Sequence, residues 1–307
     1  MRNAFADELT KLGSEDGRVV LLSGDIGNKL FDKFKAKCPN RFYNCGVAEA
    51  NMMGVAAGMA MSGLRPVVYT ITPFVTTRCL EQIRVDVCYH NVPVIIVAVG
   101  AGLSYASLGP THHACEDISL LRSLPGMAVV CPGDPHEVRA GLRTALAAPG
   151  PVYLRLGKKG EPNVHAGTPT DFTIGRGIVM QEGEHVCIFS TGNVLPVAME
   201  AAEDLATDGH STRVVSLHTV KPLDEALLRE AFARFNVVAT IEEHSLIGGL
   251  GGAVAEWRAD NPDGSARLIR FASKDAFFKL SGKQEFARKQ LGLTREYISE
   301  HLRHALA

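Results

Sequence analysis

The sequence predicts an α/β protein of two doubly wound domains, each a mainly parallel sheet covered by helices on both faces. Three observations carry this. Continuous apolar runs such as Val94-Ile95-Ile96-Val97-Ala98-Val99 are β-branched and lack a polar face, the signature of a strand buried on both sides. Such runs alternate with helix-like stretches along both halves, and strands joined through helices pair in parallel. A polar stretch from Gly157 to Thr170, punctuated by Gly160, Pro162, Gly167 and Pro169, divides the 307 residues near the middle. The expected domains are residues 1–160 and 174–307, with a linker over 161–173, sizes that suit two separate cores.

In the first half, residues 2–12 suit a helix and Val19-Val20-Leu21-Leu22-Ser23 a buried strand. Leu30 to Lys37 reads as a short helix, followed by a turn at Pro39-Asn40 and the extended piece Arg41-Phe42-Tyr43. From Glu49 onward the pattern is helical with apolar or small residues nearly all round, so this helix is expected to be buried rather than half-exposed. Gly54, Ala56, Ala57, Gly58 and Ala60 let other elements approach its backbone, and Gly63 supplies a stop. Next come a strand at 66–69, a helix from about Thr76 to Tyr89, the strand at 94–99 and a Gly-rich loop over 100–110. A helix over 115–122, a strand at 127–130, a helix opened by Pro135 and a strand at 152–156 complete this half. Ligands gather beyond strand C-termini in such sheets, which is where the loop at 100–113 lies.

The second half repeats the alternation. Strands are expected at 186–190, 214–217, 237–241 and 267–271, and helices over 194–207, from a cap at Asp224 to Phe235, from Gly248-Gly252 toward Trp257, and over 294–306.

Composition narrows the function. Hydrophobic residues at 46% and charged ones at 21% are ordinary for a globular protein. A net charge of -1 and a pI near 6.8 give no basic footprint for nucleic acid or an anionic membrane. The first eight residues carry Asp7 and Glu8 where a secretion signal needs an apolar run, so no signal peptide is expected. The longest apolar run, Val92 to Val99, is interrupted by Pro93 and too short to span a bilayer. The seven cysteines form no C-x-x-C pair, and Cys79, Cys88 and Cys187 lie in apolar or helical patterns. They read as core residues kept reduced, as in a cytoplasm.

Some local signals carry little. Gly248 to Gly252 lacks G-x-G-x-x-G spacing and a P-loop lysine, and reads as a tight strand-to-helix turn rather than a phosphate cradle. His112 and His113, with Cys115 and Glu116, do not make a zinc site, because adjacent side chains diverge and no second cluster completes the ligand set. There is no G-x-S-x-G hydrolase elbow. Glu49, alone, suits the positive end of its helix.

The combination says more. Residues 41–63 read R-F-Y-N-C-G-V-A-E-A-N-M-M-G-V-A-A-G-M-A-M-S-G, and residues 74–86 read F-V-T-T-R-C-L-E-Q-I-R-V-D. Then come G-P-T-H-H-A-C-E-D at 109–117, L-H-T-V-K-P-L-D at 217–224 and E-E-H-S-L-I-G-G-L-G-G-A at 242–253. In this order, over nearly the whole chain, they resemble the C-terminal half of transketolases, in particular the small subunit of transketolases split into two chains. The resemblance implies a thiamine-diphosphate pyrimidine-binding domain followed by a transketolase C-terminal domain. It also implies transfer of a two-carbon ketol unit from a ketose, phosphorylated in the family, to an aldehyde acceptor.

Under this resemblance Glu49 is the acid that activates the cofactor, sharing a proton with a ring nitrogen of its aminopyrimidine. An apolar surround holds that proton between acid and ring more readily than water does. Phe74 matches the aromatic that stacks on the ring, and Arg78, in the same segment, is expected at the cofactor. His112 matches the histidine facing the substrate oxygens, able to pass protons near neutral pH, its plain alternative being a structural histidine. Asp25 matches a carboxylate near the cofactor, with a turn or cap as its alternative. Arg155 is expected to bind the substrate phosphate or, on the bland reading, to form a surface ion pair. Two places depart from the family. Gly100 stands where a phosphate-assisting histidine is usual and Leu108 where an acid reads a sugar hydroxyl, with Tyr105 and Ser107 nearby. Both changes predict a more open, more apolar acceptor pocket and a specialised substrate.

The family's G-D-G…N motif for Mg²⁺ and diphosphate is missing; the nearest match, Gly24-Asp25-Ile26-Gly27-Asn28, is too short. The resemblance therefore implies a diphosphate-binding N-terminal partner subunit and an α2β2 assembly. Related alternatives are the beta subunit of a 2-oxoacid dehydrogenase, half of a 1-deoxyxylulose-phosphate synthase, and a non-catalytic regulatory subunit. Gly109-Pro110-Thr111-His112 and Glu242-Glu243-His244 follow transketolases better.

Overall fold

The computed structural model describes residues 1–27 and 29–306; Asn28, the last residue of the Gly24–Asn28 stretch, lies outside the described residues. The first half runs α1 (Arg2–Glu15), β1 (Val19–Ser23), α2 (Asp32–Lys37), β2 (Phe42–Asn44), α3 (Glu49–Met61) and β3 (Arg65–Ile71). A broken helical run follows: α4 (Thr72–Val75), a 3₁₀ turn (Thr77–Cys79), α5 (Leu80–Gln82) and a π-helical segment (Ile83–Tyr89). Then come β4 (Ile95–Val99), α6 (Asp117–Arg122), β5 (Ala128–Val130), α7 (Pro135–Ala147) and β6 (Val152–Leu156). The second half contains β7 (Ile178–Gln181), β8 (Val186–Thr191), α8 (Leu195–Thr207), β9 (Thr212–Ser216), β10 (Thr219–Lys221) and α9 (Glu225–Arg234). It ends with β11 (Val237–Ser245), α10 (Leu250–Asp260), β12 (Arg267–Ser273), α11 (Gln284–Gln290) and α12 (Arg295–Leu306).

Two sheets result, ordered β10-β5-β6-β4-β3-β1-β2 and β12-β11-β8-β9-β7. Both are parallel apart from one antiparallel edge strand each, β10 against β5 and β7 against β9. The fully buried strands β1, β4, β6, β8 and β9 explain why their sequences run apolar without alternation. The strand β10 belongs by sequence to the second half yet completes the first sheet. One buried cluster continues from Met52 and Met53 of α3 through Ile96 and Val129 to Cys187, Phe189 and Val220. The halves thus share a core, and an apolar joint of this kind resists relative motion.

Several expectations are corrected. The helix expected from Thr76 begins at Thr72, where Pro73 suits the first turn, and is broken by the 3₁₀ turn. The helix α3 is not buried all round: Asn51, Val55, Gly58 and Met61, spaced to share one face, are exposed because no described segment covers them. The polar stretch after β6 is a fastened strap. Glu161 accepts from the Met1 ammonium at 2.9 Å, and Asp134 accepts from the backbone N–H groups of Val164 and His165 at 2.9 and 2.8 Å. The strands β7 and β10 and the helix α11 were not expected; each is short, and β10 is placed by contacts remote in sequence. Gly63 does end α3, with φ +90°, and Asp224 caps α9 through the Leu227 N–H. The turn at Gly248 to Gly252 leaves no free phosphate cradle: Glu242 accepts from the N–H groups of Leu250 and Gly251 at 2.7 and 2.8 Å. All seven cysteines are free thiols.

Arg155 is not the exposed cation that its place at a strand end suggests. It is 1% exposed, and its Nε and Nη2 donate to Asp117 at 2.6 and 3.1 Å. Nη2 also reaches the carbonyls of Ala114 and Glu243 at 2.9 and 3.0 Å, tying α6 and the preceding loop to β11. Burial would push the Asp117 carboxyl up, but the Arg155 guanidinium outweighs it and holds that carboxyl below its ordinary range. Removing one member of a buried pair strands the other charge. Arg155→Met is therefore expected to lower stability by about 3–5 kcal/mol, read as a fall in the urea midpoint. Wild-type stability with a raised KM would instead return Arg155 to the substrate.

Candidate active site

The site forms at the C-terminal edge of the first sheet, where β1, β3 and β4 deliver their following turns. A Cβ on Gly24, just after β1, would stand 3.1 Å from Thr70 Oγ1 and 3.3 Å from Glu49 Cγ, so this strand end can close on the start of α3. Glu49, in the first turn of α3, is 4% exposed. Arg78 Nη1 donates to both of its carboxylate oxygens at 3.2 Å. The Arg78 guanidinium lies over the Phe74 ring, 3.9 Å from its centroid. Thr72 Oγ1 donates to the Val99 carbonyl at 3.0 Å, which fixes the turn carrying Phe74 against the end of β4. Behind it, burial and then the Glu49 charge push the Cys79 thiol up to about 12, which leaves it inert.

The loop after β4 brings His112 to the same place. Its ring stands 5.2 Å from Phe74 and 6.2 Å from Tyr105, edge-on to both. Thr111 Oγ1 lies 3.0 Å from His112 Nδ1. Burial first, then the neighbouring His113 and Arg78 charges, lower the His112 pKa and keep its imidazole neutral at neutral pH. Gly100 has φ +92°, and a Cβ there would run into the Tyr105 ring. Position 100 is thus filled by Tyr105, a residue that sequence reading noted only as a neighbour. Leu108 is 53% exposed and, with Pro110, Phe277, Phe278 and Leu280, lines a cavity of about 600 Å³.

Glu49, Phe74, Arg78 and His112 are therefore brought together, with Gly100 and Leu108 on the adjoining loop. Asp25, next to Gly24, stands exposed in a turn at φ +56°, accepting from Asn44 Nδ2 at 2.9 Å, and Arg155 is buried as described. His113 turns away from His112 toward the Ala106 carbonyl, 3.1 Å from Nε2. In the sequence Glu243 stands out only as part of a family motif. It accepts from the Leu103 N–H at 2.6 Å, from Gln284 Nε2 at 2.9 Å and from Arg288 Nε, and so clamps the His112 loop to the second half. No local pattern announces a contact spanning 140 residues.

The residues fit one end of thiamine diphosphate. A flat hydrogen-bond donor, the Arg78 guanidinium, already lies on Phe74 and points at Glu49, and these are the two contacts an aminopyrimidine ring requires. Among the described residues no group of three or more His, Cys, Asp or Glu side chains could hold a metal ion.

Comparison with known proteins follows the two halves of the chain. Residues 1–162 match the transketolase pyrimidine-binding domain and residues 175–298 the transketolase C-terminal domain. A putative transketolase C-terminal section of Methanocaldococcus jannaschii is 36% identical, over 98% of this chain and 95% of that one. The 6-deoxy-6-sulfo-D-fructose transketolase subunit SqwH of Clostridium sp. is also 36% identical, over 97% of this chain and 92% of its own length. A solved split-gene transketolase, an inactive beta4 tetramer, superposes with a TM-score of 0.89 at 37% identity, covering 99% of this chain and 97% of that one. On these grounds the chain belongs to the transketolase family, as the section that pairs a pyrimidine-binding domain with a C-terminal domain.

Proposed function

We propose that this chain is the smaller half of a two-subunit, thiamine-diphosphate- and Mg²⁺-dependent transketolase. It works in the cytoplasm and moves a two-carbon ketol unit from a phosphorylated ketose to an aldehyde in a specialised branch of sugar metabolism. The observation that carries the reading is the grouping of Glu49, Phe74, Arg78 and His112 on an open sheet edge, an arrangement that suits the pyrimidine end of the cofactor. The exposed stripe of α3, Asn51, Val55, Gly58 and Met61, runs back from Glu49 and supports a diphosphate-binding partner seated against this helix, in an α2β2 assembly. The likeness to SqwH, named as a subunit, supports the division into two chains.

Thiamine diphosphate supplies, when bound, the nucleophilic carbon at which the ketose carbon–carbon bond is broken and the two-carbon unit carried. Glu49 holds a proton at the pyrimidine ring nitrogen, and its burial keeps water from competing for it. Phe74 orients the ring by stacking. His112, neutral and facing the open side, accepts and returns protons at substrate oxygens. Leu108 offers the acceptor an apolar surface in place of a hydroxyl-reading acid.

Two outcomes are expected with the enzyme reconstituted from both subunits. Glu49→Ala lowers kcat by about 10²–10⁴-fold, the range for a positioned proton-transfer group, and full activity would remove the catalytic assignment. In the pH profile of kcat/KM, the acid limb falls below the ordinary histidine value of 6.5, since His112 must be unprotonated to accept. His112→Gln abolishes that limb; an unchanged profile would place the proton transfer elsewhere.

A further inference from the structure

We infer that Arg78 holds the place of the cofactor's aminopyrimidine ring in the cofactor-free subunit and surrenders it when the cofactor binds. The inference rests on the thiamine-diphosphate reading of the site and adds an exchange to it. Three observations carry it. The guanidinium is planar and lies 3.9 Å above the centroid of Phe74, so it covers the face on which a pyrimidine would stack. The same group donates to both Glu49 oxygens at 3.2 Å, so it uses the acceptors that the ring would need. The Arg78 side chain is 48% exposed whereas that of Glu49 is 4% exposed, so the arginine can withdraw into solvent while the acid cannot. Two planar groups cannot share one aromatic face and one carboxylate in this geometry.

Physical necessity accounts for the placeholder. A carboxylate this buried and left without a partner carries a large desolvation penalty. A chain that folds as a separate subunit meets that condition before any cofactor arrives. Arginine suits the task because it stays charged at all working pH values and matches a carboxylate while stacking on a ring. It also occupies both Glu49 oxygens, the acceptors that the ring would use. On exchange, Arg78 gives up two long hydrogen bonds and a stacking contact, and regains hydration. The exchange makes binding conditional on Arg78 leaving, so the apparent affinity is reduced by the fraction of subunits in which it has left.

Stopped-flow association of thiamine diphosphate with the reconstituted two-subunit enzyme, at saturating Mg²⁺, tests this. In the wild type the observed rate levels off as cofactor concentration rises, because withdrawal of Arg78 precedes binding. In Arg78→Met the plateau is lost and the rate rises linearly, with an initial slope steeper by about tenfold, because the wild-type slope is scaled down by the fraction of subunits in which Arg78 has withdrawn. An ordinary positioning ion pair predicts the reverse, because losing it would leave Glu49 misplaced and slow association. Arg78→Lys, which keeps the charge but cannot stack as a plane, serves where the methionine variant fails to fold, and is expected to fall between. Rates that are equal, or slower in either variant, overturn the inference alone. Absence of cofactor binding by the wild-type complex overturns the reading of the site, and the inference with it.

Discussion

A carboxylate that water cannot reach must be met by something, and at Glu49 that requirement organises the site. The acid sits in the first turn of a helix made of small residues, where the positive end of the helix favours its charge but does not hydrogen-bond it. Gly24 lets β1 end against it, the broken helical run after β3 carries Arg78 to it, and Phe74 supplies the flat surface beside it. A continuous helix from Thr72 to Tyr89 would turn these side chains differently; the 3₁₀ turn at Thr77–Cys79 re-aims Arg78.

The second half braces the loop that carries His112. Glu243 and the Asp117–Arg155 pair form a buried polar network in which the described acids have cationic or N–H partners, and such networks rigidify what they hold when fully satisfied. What they hold is the loop from Gly100 to His112. Gly102 is pressed against Glu243 at φ +58°, a position that only glycine fills without strain. The Glu-Glu-His run at 242–244 therefore places the His112 loop from across the joint between the halves, with Glu242 capping α10 and Glu243 gripping the loop.

Much of this was legible in the sequence. The strands buried on both faces announced themselves by continuous apolar runs, and Gly63 and Asp224 marked helix ends through local backbone chemistry. Glu49, Phe74 and His112 were named from the family resemblance that the motif order carries, and the fold brings them together. What escaped detection depends on distance along the chain. Arg155 looks like a free cation at a strand end until Asp117, 38 residues earlier, is seen to hold it. The β10 strand has only three residues and is defined by its partner β5. The open stripe on α3 escaped because composition records that a helix is apolar, not whether its own chain has enough segments to cover it.

The central claim is that one cofactor site is divided between two chains. Calorimetric titration of thiamine diphosphate with Mg²⁺ tests it most directly, first into this chain alone and then into its mixture with a partner carrying the diphosphate motif. The account predicts tight, metal-dependent binding in the mixture only. Equally tight binding to the chain alone would contradict it.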